Sequence, residues 1–287
     1  MKTVAVCGAG VMGAGIAQVM LQAGHRVIMY DAFAPALEKG LGYIRTNLEK
    51  SEAKGRLLPG QAAALLAALQ VTANVDDLAG AGFVIEAVTE KPEVKIPLFQ
   101  ALDRVLAPDA IIASNTSGLS LTELAAATGR PDRVVGTHFF NPPPVMKLVE
   151  LVRAAQTSDA TVAAAKELVT TAGKETIEVK EAPLFAVNRI LVPMLNEAVF
   201  TLQEGIAGRD EIDRGMVLGC SHPIGPLALC DLIGLDTLLL IVETLQRETG
   251  DAKYRPAPLL RQMVRAGYLG RKSGRGFYNY AAGESPR

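Results

Sequence analysis

The sequence has few cysteines and almost no net charge, and both features exclude classes of protein. Its three cysteines, Cys7, Cys220 and Cys230, are an odd number without the paired spacing of a zinc site. We therefore expect a cytoplasmic protein without a bound metal or a disulfide framework. The 29 basic and 30 acidic residues leave a formal charge of −1, so no polybasic field is available for nucleic acid or an anionic membrane.

The length and composition indicate a folded chain of two domains. The 287 residues are about twice the length of a typical domain, and 49% hydrophobic with 21% charged residues argues against disorder. Residues 3–24 carry no charge and are long enough to imitate a membrane span or a secretory signal. Five glycines interrupt this stretch, which is typical of a strand, a turn and a helix in a soluble protein.

Short apolar runs alternate with helical stretches through the first 180 residues. Near-continuous apolar runs are typical of parallel strands that helices cover on both faces. The predicted strands are 4–6, 26–30, 71–73, 83–88, 110–113, 134–136, 148–152 and 176–179. Ser120 and Glu123 form a capping-box pattern for a helix that continues to Ala127, and another helix is predicted from about 159 to 172.

Two regions depart from this alternation. Residues 33–70 are charged, alanine-rich and interrupted at Gly55 and Pro59-Gly60, which predicts a helical hairpin inserted after the second strand. Beyond the last predicted strand, apolar residues recur at helical spacing. We expect a doubly wound, mostly parallel α/β domain over residues 1–183 that includes the hairpin, followed by a smaller all-α domain over residues 184–287.

A glycine motif follows the first predicted strand and precedes an uncharged helix. It consists of Gly8, Ala9, Gly10, Val11, Met12 and Gly13, and Asp31 ends the next strand about twenty residues later. Such glycines let backbone N–H groups approach a pyrophosphate at a helix N-terminus, while Asp31 would bind ribose hydroxyls and repel a 2′-phosphate. The pattern predicts a Rossmann-type site for NAD. NADP stays open because Arg26 and Lys39 are near in sequence, and a structural glycine turn with a surface aspartate is the alternative.

One of the three histidines is a candidate acid–base. His25 is interpreted as a surface residue and His222 as a structural residue of a Pro/Gly loop. His138 follows a predicted strand whose end faces the crevice where open α/β sheets bind ligands, and Asn141 and three prolines come after it. Glu150, in the next predicted strand, would orient the imidazole and stabilise its protonated form, unless it is simply a solvent-facing strand residue.

Several motifs in one order resemble the 3-hydroxyacyl-CoA dehydrogenases, and among them the bacterial 3-hydroxybutyryl-CoA dehydrogenases that are separate chains of this length. After the glycine motif these are Ser114-Asn115-Thr116-Ser117, His138 to Pro142, Val187-Asn188-Arg189, Pro223 to Leu227, Asp231 to Asp236 and Gly270 to Tyr278. The resemblance covers nearly the whole chain. It implies reversible NAD-dependent oxidation of an (S)-3-hydroxyacyl-CoA, with short acyl chains preferred, in fatty acid metabolism such as β-oxidation.

The resemblance also implies roles for individual residues. His138 matches the general base and Glu150 its partner, and Ser117 and Asn188 match polar groups around the 3-oxygen and acyl portion of the substrate. Asn47 and Lys54, on the hairpin, match contacts to coenzyme A. Besides the glycine motif, the implied cofactor-binding residues are Asp31, Glu90, Lys95, Asn115, Ser117, Asn141 and Lys272.

Four further alternatives remain open. A β-hydroxyacid dehydrogenase would place a catalytic lysine on the first helix of the second domain, where this chain has Asn188-Arg189 and no lysine. A dinucleotide-binding protein without turnover is the alternative from another class. By sequence alone the hairpin charges favour a solvated helix face over a phosphate contact, and the resemblance reverses this preference for Lys54. The apolar run 238–242 predicts either a homodimer interface on the helical domain or simply the core of that domain.

Overall fold

The structure is a computed structural model that describes residues 2–284. The chain forms two compact units, the first ending at Phe185 and the second beginning at Ala186. The predicted domain boundary lies two residues earlier, after residue 183. Within the described residues, no helix combines the length and the apolar character that crossing a membrane requires.

The first unit is built on one eight-stranded sheet. Its strands are β1 Thr3–Cys7, β2 Arg26–Tyr30, β3 Leu69–Thr72, β4 Phe83–Glu86, β5 Ile111–Ser114, β6 Val134–Phe139, β7 Leu148–Arg153 and β8 Glu175–Lys180. The spatial order is β3-β2-β1-β4-β5-β6-β7-β8, and every pair is parallel except β6 with β7. Because the chain runs outward from β1 to β2 and then returns to β4 on its other side, a crevice opens at the carboxyl ends of these strands.

Helices cover both faces of this sheet. They are α1 Val11–Gln22, α2 Ala34–Ala53, α3 Gln61–Ala67, α4 Pro92–Val105, α5 Leu121–Ala126 and α6 Asp159–Thr171. Val4 and Val6 of β1 pack into a core cluster with α1, α2 and α6, whereas Ala5 and Cys7 pack into a second cluster with α4 and α5. The alternation of strand side chains therefore builds two cores, which explains why these strands are apolar throughout.

Local sequence accounts for the helix boundaries in this unit. The hairpin of α2 and α3 breaks where predicted, with Gly55 and Gly60 both at positive φ. The Ser120 side chain caps α5 by accepting a hydrogen bond from the Glu123 N–H at 3.2 Å. The fourth strand ends at Glu86, two residues before its predicted end.

The second unit is helical. It contains α7 Val187–Gln203, α8 Arg209–Cys220, α9 Pro226–Ile233, α10 Leu235–Thr249 and α11 Pro258–Arg265. Short 3-10 turns lie at Val75–Leu78 and Pro131–Arg133 in the first unit and at Ala252–Tyr254, Arg271–Ser273 and Tyr280–Ala282 in the second. The predicted fold class, a mostly parallel α/β domain followed by a helical one, is confirmed.

Two buried aspartates organise the second unit. Asp213 accepts hydrogen bonds from the Leu227 and Ala228 N–H groups at 2.7 and 3.0 Å, which caps the start of α9. Asp231 accepts from the N–H groups of Phe277 and Tyr278, both at 2.9 Å. Asp213 therefore fastens α8 to α9, and Asp231 fastens the C-terminal segment to α9.

Candidate active site

The glycine motif forms a tight turn between β1 and α1. Gly8 has a φ of 102°, and a side chain there would meet the backbone of Ala87, the residue that follows β4. A side chain at Gly13 would meet the Gly8 carbonyl, whereas one at Gly10 would have nothing within 4 Å. The first turn of α1 carries no acidic residue and no side-chain cap. The open position at Gly10 and the uncapped helix N-terminus together suit a phosphate group.

Asp31 lies at the carboxyl end of β2 beside this turn. Its Oδ2 accepts a hydrogen bond from the Ala9 N–H at 2.8 Å, and its Oδ1 accepts one from the Phe33 N–H at 2.9 Å. Each oxygen keeps a lone pair for another donor, such as a ribose hydroxyl. Gly8, Gly10 and Asp31 line a cavity of about 620 Å³ at the ends of β1, β2 and β4. These residues therefore fit the adenosine and pyrophosphate of a dinucleotide.

His138 and Glu150 form a buried pair at the same edge of the sheet. The antiparallel register of β6 and β7 places the two residues opposite each other. The His138 Nδ1 lies 2.7 Å from the Glu150 Oε2, with His138 4% exposed and Glu150 fully buried. The interpretation of Glu150 as a solvent-facing residue is therefore excluded. Because Nδ1 contacts the carboxylate, Nε2 is the nitrogen left for proton exchange with another group.

Aromatic rings and a fixed loop surround His138. The rings of Phe140 and Phe185 lie 4.7 and 5.6 Å from its ring. Asn115, predicted as a cofactor contact, uses its side-chain oxygen to accept a hydrogen bond from the Phe139 N–H at 2.8 Å. Asn141 is exposed and precedes a cis peptide bond to Pro142. Asn115 therefore ties the end of β5 to the strand that carries the imidazole.

The predicted residues Glu90, Lys95 and Ser117 come together in one network. The Lys95 ammonium lies 2.6 Å from a carboxylate oxygen of Glu86 and 3.1 Å from one of Glu90, and its side chain is 1% exposed. The other oxygen of Glu90 accepts hydrogen bonds from the Ser117 N–H, at 2.8 Å, and from the Thr116 hydroxyl. The structure thus places Glu90 and Ser117 in direct contact at the ends of β4 and β5.

A second cleft of about 400 Å³, the cationic cleft, lies between the hairpin and the loop that follows His138. Asn47, Lys50, Lys54 and Arg56 line its hairpin side, and the loop side includes Pro142, Pro144 and Val145. No acidic side chain lines this cleft within residues 2–284. The mixed charges of the hairpin are therefore sorted so that cations face the cleft, which is the arrangement that a phosphate-bearing ligand requires.

Lys174 contributes to the loop but was missed by the sequence reasoning. Its buried ammonium donates hydrogen bonds to the carbonyl oxygens of Pro143 and Met146 at 2.6 and 2.9 Å. Pro143 also packs against Gly15 of α1, where a side chain would meet the proline ring. The loop between His138 and the cationic cleft is consequently held by Lys174 on one side and by α1 on the other.

The remaining predicted residues have simpler surroundings. In the second unit, Asn188 is half-buried as the second residue of α7, and the Lys272 ammonium donates to an Asp236 oxygen at 2.7 Å.

His25 is buried instead of lying on the surface as predicted, because the pairing of Arg26 with Thr3 brings it beside Lys2. The His25 Nδ1 accepts a hydrogen bond from the Lys2 N–H at 3.4 Å, and burial lowers the pKa of its imidazole.

Comparison with known proteins identifies the family of this chain. Residues 3–182 match the NAD binding domain of 3-hydroxyacyl-CoA dehydrogenase, and residues 185–280 match its C-terminal domain. The chain belongs to the 3-hydroxyacyl-CoA dehydrogenase family. The predictions of NAD as the cofactor, of a CoA thioester as the substrate and of dehydrogenase chemistry are thereby confirmed. The roles of individual site residues stay predictions.

Relatives of similar length are known within the 3-hydroxyacyl-CoA dehydrogenase family. The chain is 48% identical to the 3-hydroxybutyryl-CoA dehydrogenase of Bradyrhizobium diazoefficiens, over 97% of this chain and 95% of the relative. It is 47% identical to a probable 3-hydroxybutyryl-CoA dehydrogenase of Bacillus subtilis, over 97% of each. A crystal structure of (S)-3-hydroxybutyryl-CoA dehydrogenase from Ralstonia eutropha matches with a TM-score of 0.95 and 51% identity, over 98% of this chain and 99% of that one.

Proposed function

We propose that this dehydrogenase oxidises short-chain (S)-3-hydroxyacyl-CoA, such as 3-hydroxybutyryl-CoA, to 3-oxoacyl-CoA, and catalyses the reverse reduction. The observation that carries the proposal is the buried His138–Glu150 pair, 2.7 Å apart at the sheet edge that also carries the glycine turn. The names of the similar proteins supply the acyl length and the configuration. A cytoplasmic location of the enzyme stays a prediction made from the sequence.

In this mechanism His138 transfers one proton and Glu150 assists it. Bound NAD supplies the hydride acceptor. The His138 Nε2 takes the proton of the 3-hydroxyl group as the hydride leaves C3, and the Glu150 carboxylate stabilises the resulting imidazolium through Nδ1. In the reverse direction the imidazolium returns the proton to the 3-oxygen. Ser117 and Asn188 are proposed as polar groups around that oxygen, where negative charge develops.

The cationic cleft is the proposed contact for the CoA portion of the substrate. Lys50, Lys54 and Arg56 present three exposed cations there, and Asn47 donates a hydrogen bond to Gln18 at 3.3 Å that fixes its amide beside them. Exposed cations attract phosphate groups in a salt-dependent manner. We therefore propose that Lys54 and its neighbours hold the ADP portion of CoA, while the acyl end is directed toward His138.

A homodimer through the helical unit is part of the same proposal. Within residues 186–284, five large apolar side chains of this unit are exposed, and such surface is typical of interfaces between subunits. They are Ile190, Ile206, Leu218, Leu232 and Leu240. The run 238–242 serves the core as well, because Leu238 and Val242 are buried within it.

The test is NADH oxidation with acetoacetyl-CoA, followed for the wild type and two histidine variants. We expect His138→Gln to lower kcat by about 10²–10⁴-fold with a modest change in KM, the usual range for loss of a general base. His222→Gln, which changes a half-buried histidine of a loop in the second unit, is the matched control with wild-type turnover. A protein that binds NADH but shows no turnover would support the silent dinucleotide-binding alternative, and near-normal turnover of His138→Gln would refute the mechanism.

A further inference from the structure

Glu86 is a buried carboxylate that the proposed mechanism does not use. It ends β4 and is 0% exposed, directly after the fully buried Val84 and Ile85. Its Oε1 accepts hydrogen bonds from the Lys95 ammonium at 2.6 Å and from the Val88 N–H at 2.7 Å. A carboxylate without access to water is strongly destabilising unless an opposite charge and hydrogen bonds compensate it. Glu86 therefore depends on its partners, and they depend on it.

The contacts of Glu86 lead step by step to the predicted cofactor residues. Its other oxygen accepts a hydrogen bond from the Ser114 hydroxyl at 2.7 Å, at the end of β5. Lys95 is shared with the half-exposed Glu90, which in turn accepts the Ser117 N–H. The buried Lys95 ammonium is thus held between the buried carboxylate of Glu86 and the more exposed carboxylate of Glu90. The position of Glu90 relative to Ser117 follows from where Lys95 is held.

Attachment of α4 to the sheet does not by itself explain Glu86. The far end of α4 is held by Asp103, which pairs with Arg130 at 2.7 Å and accepts the Gly129 N–H at 2.8 Å. That ion pair is only partly buried, so it fastens the helix with a smaller desolvation cost. An apolar residue at position 86 would serve packing equally well. What distinguishes Glu86 is the connection from its carboxylate to Glu90 and Ser117.

We propose that Glu86 is a positioning residue of the dehydrogenase site, which fixes the Lys95 ammonium so that Glu90 and Ser117 face the bound cofactor in one arrangement. This inference rests on the proposed function of those residues. In Glu86→Gln the side-chain oxygen still accepts hydrogen bonds, but the charge that balances Lys95 is lost. Lys95 then pairs with Glu90 alone and draws that carboxylate away from the Ser117 N–H.

The decisive measurement is the Kd of NADH, determined by fluorescence titration. We expect Glu86→Gln to raise this Kd at least 10-fold while the KM for acetoacetyl-CoA changes less than 2-fold. A purely structural role would lower the thermal midpoint and the fraction of active protein, but it would not change the Kd of the molecules that remain folded. Asp103→Asn is the matched control, since it removes the carboxylate at the other end of α4 and should leave the Kd unchanged.

A double-mutant cycle tests whether Glu86 acts through Lys95. In a Lys95→Met background, Glu86→Gln should leave the Kd of NADH unchanged, because the charge that Glu86 positions is no longer present. Ser114→Ala keeps both charges and removes one hydrogen bond to Glu86, so it provides a milder variant with an expected 2- to 5-fold increase in Kd. Wild-type Kd values in both Glu86→Gln and Ser114→Ala, or an undiminished effect of Glu86→Gln in the Lys95→Met background, would overturn the inference.

The proposed function and the inference fail in different ways. If the wild type does not oxidise NADH with acetoacetyl-CoA, the proposed function is refuted whatever the variants do. If the wild type turns over and the Kd values of Glu86→Gln and Ser114→Ala are both unaltered, only the positioning role of Glu86 is refuted.

Discussion

The His138 imidazole has a partner that is costly to bury. Glu150 is fully removed from water, so its charge is disfavoured unless a nearby donor or cation compensates it. The contact with the His138 Nδ1 at 2.7 Å supplies that compensation and orients the ring. In the proposed mechanism, this carboxylate would stabilise the imidazolium that forms when the substrate alcohol is oxidised.

Glu150→Gln tests this electrostatic coupling at the scale of one residue. The amide keeps the size of the side chain and a hydrogen-bonding atom but removes the negative charge that favours imidazolium. We expect a lower kcat and pH–rate profiles that move to lower pH: the acid limb moves for oxidation, which needs the neutral imidazole, and the alkaline limb moves for acetoacetyl-CoA reduction, which needs the imidazolium. A profile that keeps its wild-type position would assign Glu150 a structural role only.

Lys174 provides a pH prediction with a defined sign. Burial lowers the pKa of its ammonium from the ordinary value of 10.5. Because the folded pKa lies below the unfolded one, the buried charge destabilises the fold fully below the folded pKa, and this cost disappears as the pH rises toward the unfolded value. The neutral amine retains two N–H donors, enough for the carbonyls of Pro143 and Met146.

The comparison is between the wild type and Lys174→Met in chemical denaturation. The variant loses both hydrogen bonds at every pH, and we expect it to be less stable by about 1–3 kcal/mol near neutrality because two carbonyl groups lose their donor. The stability advantage of the wild type should grow as the pH approaches 10.5. A constant difference over the alkaline range would contradict the assigned direction of the pKa shift.

Residues of the candidate site that lie next to a recognisable sequence pattern could be predicted, whereas those without such a pattern could not. His138 and Glu150 lie on strands joined by a short connection, so their pairing follows from sequence. Glu86 stands as a charged residue at the end of an apolar run, a signal that was available but not used. Lys174 has no local signal, because its partners lie 28 and 31 residues away on a loop that only the fold brings near.

At the scale of elements, the strands were predicted well because covered parallel strands are apolar throughout. The end of β4 was predicted two residues late, since Ala87 and Val88 continue the apolar run. The structure gives the physical reason. The Val88 N–H donates to the Glu86 carboxylate at 2.7 Å and so leaves the ladder. A side chain thus competes with strand pairing, and a hydrophobicity pattern does not include that competition.

The C-terminus of α8 provides a prediction about element stability. Ser221 caps this helix at φ 57° and ψ 32°, and its side chain is exposed. A non-glycine residue in this left-handed region is disfavoured, so we expect Ser221→Gly to stabilise the protein by about 0.5–1 kcal/mol. Ser51→Gly makes the same chemical change inside α2 and should destabilise it by a similar amount, about 0.5–1 kcal/mol. Thermal midpoints that move in the same direction for both variants would refute the assignment.

At the scale of the whole molecule, the open question is what covers the apolar surface of the helical unit. The two faces of α10 show why the sequence left two interpretations: Leu238 and Val242 are buried, whereas Leu240 between them is 62% exposed. Core residues and surface residues therefore alternate along one apolar run. Because a helix repeats every 3.6 residues, the same run supplies both faces. The pattern alone does not say which leucines meet a partner.

We expect a second copy of the chain to cover this surface, and light scattering after size-exclusion chromatography tests that expectation. The wild type should have twice the 30.3 kDa mass of one chain. Leu240→Asp and Leu218→Asp would bury an unpaired carboxylate in the interface and weaken association at least 100-fold, or about 2.7 kcal/mol. Leu58→Asp is the matched control, because Leu58 is 73% exposed on the hairpin of the first unit and should leave the dimer intact. A monomeric wild type, or dimers that persist in both helical-unit variants, would show that these leucines do not form the interface.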